Sequence, residues 1–109
     1  MKILLTGTTG YIAQRLLPVL LHDGHEVICC VRDTARFDAS RYRSDKITVI
    51  EVDFLDRSSL RVIPNDIDAA YYLIHSMSAA DEYFETLEKI SANNFAERIQ
   101  QTAARQVIF

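Results

Sequence analysis

A chain of 109 residues is one domain's worth at most, long enough for a modest core. Its 49% hydrophobic and 25% charged content is ordinary for a soluble globular protein, and a net charge of −3 argues against a nucleic-acid partner, which would call for a basic surplus. No apolar run approaches membrane-spanning length and no leader-like segment opens the chain, so no membrane partner is expected. The two cysteines, Cys29 and Cys30, are adjacent and on a strand would point to opposite faces, which disfavours a disulfide and fits a reducing, cytoplasmic setting.

Short apolar runs alternate with longer helical patterns. Residues 2–6 read as a strand buried on both faces. Residues 11–22 read as a helix with Ile12, Leu16, Val19 and Leu20 on its apolar face. Pro18 inside it predicts a kink or an early break, and Gly24 is the natural stop. A second strand is expected over 25–31, then a polar loop with one helical turn over 33–45, then a third strand over 46–52. Asp56 is placed to cap a short helix through Val62, and Pro64-Asn65-Asp66 is a turn. A fourth strand is expected over 68–74 and a long helix over 81–101. That helix carries Asp81, Glu82 and Glu85 in its first turn and an apolar stripe of Phe84, Leu87, Phe95 and Ile99. Residues 106–109 begin a fifth strand.

This order predicts an α/β fold with a parallel sheet and helices on both faces. For a Rossmann-type doubly wound sheet the strand order is 3-2-1-4-5, here truncated after the start of strand 5. The chain stops at Phe109 inside an apolar strand, so residues 1–109 are expected to be the N-terminal portion of a longer protein. An unfinished apolar strand at the edge also predicts self-association.

Two of the three glycines, Gly7 and Gly10, stand in "LLTGTTGYIAQRL", between the first strand and the first helix. In that context glycines have physical work to do. Gly7 lets the chain turn sharply out of the strand, and Gly10 lets backbone approach a pyrophosphate. The helix start near Tyr11 offers free N–H groups and the positive end of a dipole. Ala13 takes the third small position, where close packing on the sheet matters and positive φ does not. A strand-to-helix turn that merely uses two glycines is the plain alternative. A P-loop is excluded, because no Gly-Lys-Ser/Thr follows.

"TGTTGYIAQRL" resembles the Thr-Gly-x-x-Gly-x-x-Gly/Ala cofactor loop of the short-chain dehydrogenase/reductase superfamily. Together with "VDFLD" and "AAYYLIHSM" it is similar to the atypical, NmrA-like and epimerase-like branch, over essentially the whole chain. The resemblance implies dinucleotide binding by Gly7, Thr9, Gly10, Tyr11 and Ile12. It implies that Arg32, at the end of the second strand, meets the 2′-phosphate and favours NADP over NAD, in line with the positional rule for such sheets. Arg32 as a solvent-facing charge, with Asp33 capping the next turn, is the other reading. By resemblance Asp53 receives the adenine amine with Phe54 and Leu55 beside the ring, a helix-capping acid being the other reading, and the backbone at Leu73–His75, with Ile74 and His75, passes the nicotinamide-side ribose.

No catalytic residue is assigned. Tyr42-Arg-Ser-Asp-Lys46 matches the Tyr-x-x-x-Lys pattern of the reductases, but it precedes the third strand, whereas the family places that pair on a helix after the fifth. His22 and His25 have no further ligands to complete a metal site. Asn93 and Asn94 receive no role. The expected function is the dinucleotide-binding part of an NAD(P)-dependent oxidoreductase or sugar-nucleotide-epimerase-like protein, acting on a small molecule the sequence does not identify. The alternative is an NmrA-like redox sensor that binds the dinucleotide without turnover. A methyltransferase-type domain is disfavoured, since it wants an acid where Arg32 stands.

Overall fold

A computed structural model describes residues 1–74 and 82–109. Five parallel strands, β1 (Lys2–Leu5), β2 (Glu26–Val31), β3 (Ile47–Glu51), β4 (Ala69–Tyr71) and β5 (Gln106–Ile108), form one sheet in the order β3-β2-β1-β4-β5. Helix α1 (Tyr11–His22) connects β1 to β2, and α2 (Glu82–Gln100) precedes β5. The expected order and direction of the strands are therefore as read from the sequence. The fourth strand is shorter than expected.

Alternation along the strands divides the core in two. Ile3, Leu5, Val27 and Cys29 face α1 and pack with Ala13, Leu17 and Leu20. Leu4, Ile28, Cys30 and Ala70 face the other way and pack with Phe54, Tyr72, Phe95 and Ile99. The adjacent cysteines thus occupy opposite layers, and both are free and buried. Burial pushes the Cys29 thiol up to about 12 and Cys30 higher still, so neither is a ready nucleophile.

Helix α1 keeps part of its expected face. Leu20 and Ala13 are buried as expected and Leu16 packs against the same cluster, but Leu17 is buried while Ile12 and Val19 are 54% and 55% exposed. The spacing i, i+4, i+7 is helical either way, and an apolar-rich stretch leaves the phase open. The small side chain of Ala13 settles it, because only there can the first turn lie close on β1 and β2. This phase turns Pro18 to solvent, and the helix runs through it unbroken. The missing N–H leaves the Gln14 carbonyl on the wet side, where water can serve it. At the C-terminus, Gly24 (φ +86°) donates to the Leu21 carbonyl and His25 to that of Leu20, at 3.0 and 3.1 Å. These are the two bonds of a Schellman stop.

The polar segment after β2 holds two 3-10 turns, Thr34–Arg36 and Ala39–Tyr42, rather than one. Each is opened by an aspartate, Asp33 or Asp38, that accepts an N–H two residues on. Asp56 does the same for Ser58 at the head of Arg57–Val62, which is 3-10 throughout.

Candidate functional site

The site is built where β1, β2 and β4 end. Thr6 leaves β1 fully buried, and its hydroxyl donates to the Tyr71 carbonyl at 2.8 Å while accepting the Leu73 N–H at 3.0 Å. Thr8, also buried, reaches the other way, to the Cys30 carbonyl at 2.9 Å and the Leu5 carbonyl at 3.2 Å. The two hydroxyls therefore bind the loop between them to the exits of β4 and β2.

Gly7 sits between these anchors at φ +63°, and a Cβ there would lie 2.6 Å from the Leu73 carbonyl oxygen. No side chain fits that approach, and L-residues rarely adopt that φ. Gly10 is the N-cap of α1, extended at φ −79° and ψ 164°, with no side-chain cap bond. Its N–H donates to the Gly7 carbonyl at 2.9 Å, and a Cβ would come within 3.1 Å of the same oxygen. The first helical bond is Gln14 N–H to Gly10 C=O at 3.0 Å. The N–H groups of Tyr11, Ile12 and Ala13 precede it, so the helix itself gives them no acceptor. Such a group of donors on a helix end suits an anion.

Around this loop the other expected residues fall as follows. Thr9 is exposed and its carbonyl takes the Gln14 amide at 3.0 Å. Tyr11 and Ile12 project outward, and the Arg15 guanidinium lies 4.7 Å over the Tyr11 ring. Arg32 is the first residue past β2, exposed and without a partner among the described residues. Its neighbour Asp33 is engaged, accepting the Ala35 N–H at 3.0 Å and facing Arg36 at 3.9 Å. The plain reading of "CVRD" therefore describes the local geometry: Asp33 caps the turn, and Arg32 is a solvent-facing charge at the strand end.

Asp53 follows β3 and is half-buried, with Oδ1 accepting the Leu55 N–H at 3.0 Å. The Phe54 side chain turns inward, edge-on to Tyr72 at 6.4 Å and Phe95 at 5.8 Å between ring centroids. Phe54 is therefore buried, its ring packing the core and its carbonyl accepting from Asn94 Nδ2. Ile74 lies past β4 and packs against the same core. His75 lies outside the described residues, as do Ser76 and Asp81.

The Tyr42–Lys46 pair does not come together as an acid–base unit. Tyr42 stacks on Phe37 at 6.0 Å, while the Lys46 ammonium donates to the Gly24 carbonyl at 3.1 Å, beyond the N-terminal end of β2. Of the histidines, His25 faces the N-terminal amine at 3.2 Å. Three polar residues that carry the local architecture received no binding role from sequence: Thr6, Thr8 and Asn94. The signal for Asn94 is a polar side chain beside Phe95 on the buried stripe of α2.

A parallel 3-2-1-4-5 sheet whose first strand turns through glycine into a helix start defines a Rossmann-type α/β unit. Residues 3–104 match the NAD dependent epimerase/dehydratase family, and the chain belongs to that family. It is 29% identical over 87 residues to the isoflavone reductase homolog IRL of Zea mays, covering 74% of this chain and 28% of that protein. Among solved structures it resembles Gre2 from Candida albicans, with a TM-score of 0.80, 20% identity, and coverage of 98% of this chain and 35% of that one. Yeast methylglyoxal/isovaleraldehyde reductase Gre2 complexed with NADPH gives 0.77, 18%, 98% and 36% for the same quantities. A UDP-galactose 4-epimerase gives 0.75, 22%, 98% and 37%. At these identities the structures speak for the fold alone. The chain spans little more than a third of each of these structures and less of the maize relative. Among the described residues no helix is long and apolar enough to cross a membrane.

Proposed function

We propose that the chain is the NADP(H)-preferring, dinucleotide-binding part of an oxidoreductase or sugar-nucleotide-epimerase-like protein. The observation that carries this reading is the glycine loop, flattened on the strand ends by Thr6 and Thr8 so that the start of α1 is left open. The donor set fits a pyrophosphate: backbone N–H groups at Tyr11, Ile12 and Ala13, and no side chain at Gly7 or Gly10 to fill the approach. Arg32 supports the choice of NADP, because an unpartnered guanidinium at the end of β2 suits a 2′-phosphate and an acid there would suit the free hydroxyl. Asp53 is the acceptor for the adenine amine, with its Oδ2 without a partner among the described residues. Ile74 and His75 border the nicotinamide-side ribose.

A dinucleotide held by the residues named above would supply hydride chemistry at its nicotinamide; these residues bind and orient, and none of them is given a proton-transfer role. The decisive experiment is a titration of NADPH and NADH against wild type and Arg32→Ala. Loss of one charge-assisted contact is expected to weaken NADPH about tenfold or more and leave NADH nearly unchanged. Unchanged NADPH affinity would remove the phosphate assignment.

A further inference from the structure

Asn94 is a polar side chain in an apolar layer. It is 8% exposed, next to the fully packed Phe95, and its Nδ2 donates to the Phe54 carbonyl at 2.8 Å. A leucine at this position would bury more readily and suit a helix better, so the amide has to be explained by its bond. The carbonyl it holds belongs to the turn that follows β3. Ser59 holds that turn from the other side: its hydroxyl accepts the Asp53 N–H at 3.0 Å and lies 2.8 Å from the Asp53 carbonyl. The Asp53 carboxylate closes the turn through Oδ1 and the Leu55 N–H. The Phe54 ring, wedged against Phe95 and Tyr72, prevents the segment from rolling. The backbone on both sides of Asp53 is thereby tied to α2 and to the 3-10 turn Arg57–Val62. What is left unengaged is Oδ2, on a half-buried residue at the C-terminal edge of the sheet.

We infer that Asn94 and Ser59 are positioning residues for adenine recognition, holding the turn that fixes Asp53 as acceptor of the exocyclic amine. The inference rests on the assignment of Asp53 made above. Its physical content is pre-organisation: a carboxylate already held in its bound direction loses little freedom on accepting the amine. A merely structural role for Asn94 would change stability and weaken every dinucleotide alike. A positioning role changes how well the protein tells adenine from a base without the amine.

The test compares NADPH with its hypoxanthine analogue, in which a carbonyl replaces the amine, on the intact protein. Wild type is expected to favour the adenine cofactor about tenfold, the worth of one hydrogen bond to a charged group. Asn94→Leu and Ser59→Ala should shrink that preference to about threefold or less, while Ser59→Thr, which keeps the hydroxyl, restores it. If Asn94→Leu does not fold, the two Ser59 variants decide. Folded variants that keep the full preference overturn the inference and leave the Asp53 assignment standing. A wild type that binds both cofactors equally overturns the Asp53 assignment and the inference with it. A wild type that binds neither overturns the dinucleotide reading itself.

Discussion

The glycine loop and the end of β2 lie side by side on the sheet edge, yet they are built on opposite principles. The loop has almost no freedom. Thr6 and Thr8 are buried and bonded to neighbouring strand exits, and Gly7 is held where a Cβ would strike backbone. Arg32 is held by no such bonds: it is exposed, with no hydrogen bond or ion pair among the described residues. The contrast is between a fixed turn and an exposed cation, which under the proposed reading would serve, respectively, what every dinucleotide carries and the 2′-phosphate that only some carry. It also predicts that the two regions respond differently to mutation, the first through folding and the second through binding.

The largest effect is expected at Gly7. Alanine there meets both a disfavoured φ and an overlap with the Leu73 carbonyl, each worth about 1–3 kcal/mol, so Gly7→Ala should cost roughly 3 kcal/mol or more. That is a large part of a typical domain's stability, and a lowered urea midpoint is the measure. An unshifted midpoint would mean that the loop is not pressed on β4 as described. Thr6→Val comes next. It keeps the shape but leaves the Leu73 N–H without its acceptor, at a cost of about 1–3 kcal/mol. NADPH affinity should fall with it, since the cradle loses an anchor. Preserved affinity in a destabilised variant would detach the anchor from the site.

The sheet beneath the loop provides a pH test of the same rigidity. Burial raises Cys29 from 9.0 in the unfolded chain to about 12 in the fold. A group raised on folding stabilises fully below its unfolded value and loses that contribution as pH climbs through the folded one. Wild-type stability should therefore decline between about pH 9 and 12, and less steeply in Cys29→Ala, when urea midpoints are followed against pH. Equal slopes would mean that the β2 layer admits water.

Much of this was legible because it rests on patterns that survive without neighbours. Gly7 and Gly10 after an apolar strand and before a helix announce the turn, and strand alternation puts Cys29 and Cys30 in different layers. The phase of α1 was only partly legible. Ile12, Leu16, Val19 and Leu20 make as good a helical stripe as Ala13, Leu17 and Leu20, and the close packing of Ala13 on the sheet goes with the second. The two threonines were hidden for a related reason. In "TGTT" nothing local says which hydroxyl reaches Tyr71 and which reaches Cys30, partners 65 and 22 residues away. Phe54 shows the same limit. Its place next to Asp53 suggests an adenine neighbour, while its ring answers to Phe95 on a helix four decades of residues later.

Arg36 gives the smallest effect and the sharpest view of the free cation. It lies 3.9 Å from Asp33, with both side chains more than half exposed, so the pair contributes little to the fold. Arg36→Ala should change stability by no more than about 0.5 kcal/mol. Its bearing on binding depends on Asp33, which is held by the Ala35 N–H and stays in place when Arg36 is gone. Arg32 would then face a carboxylate relieved of its partial counter-charge, and part of its attraction for a 2′-phosphate would be offset. NADPH affinity should therefore fall slightly, about twofold, with NADH unchanged, and the difference should vanish at high salt because all three side chains are solvated. A loss as large as that of Arg32→Ala would show that two guanidinium groups, rather than one, receive the phosphate.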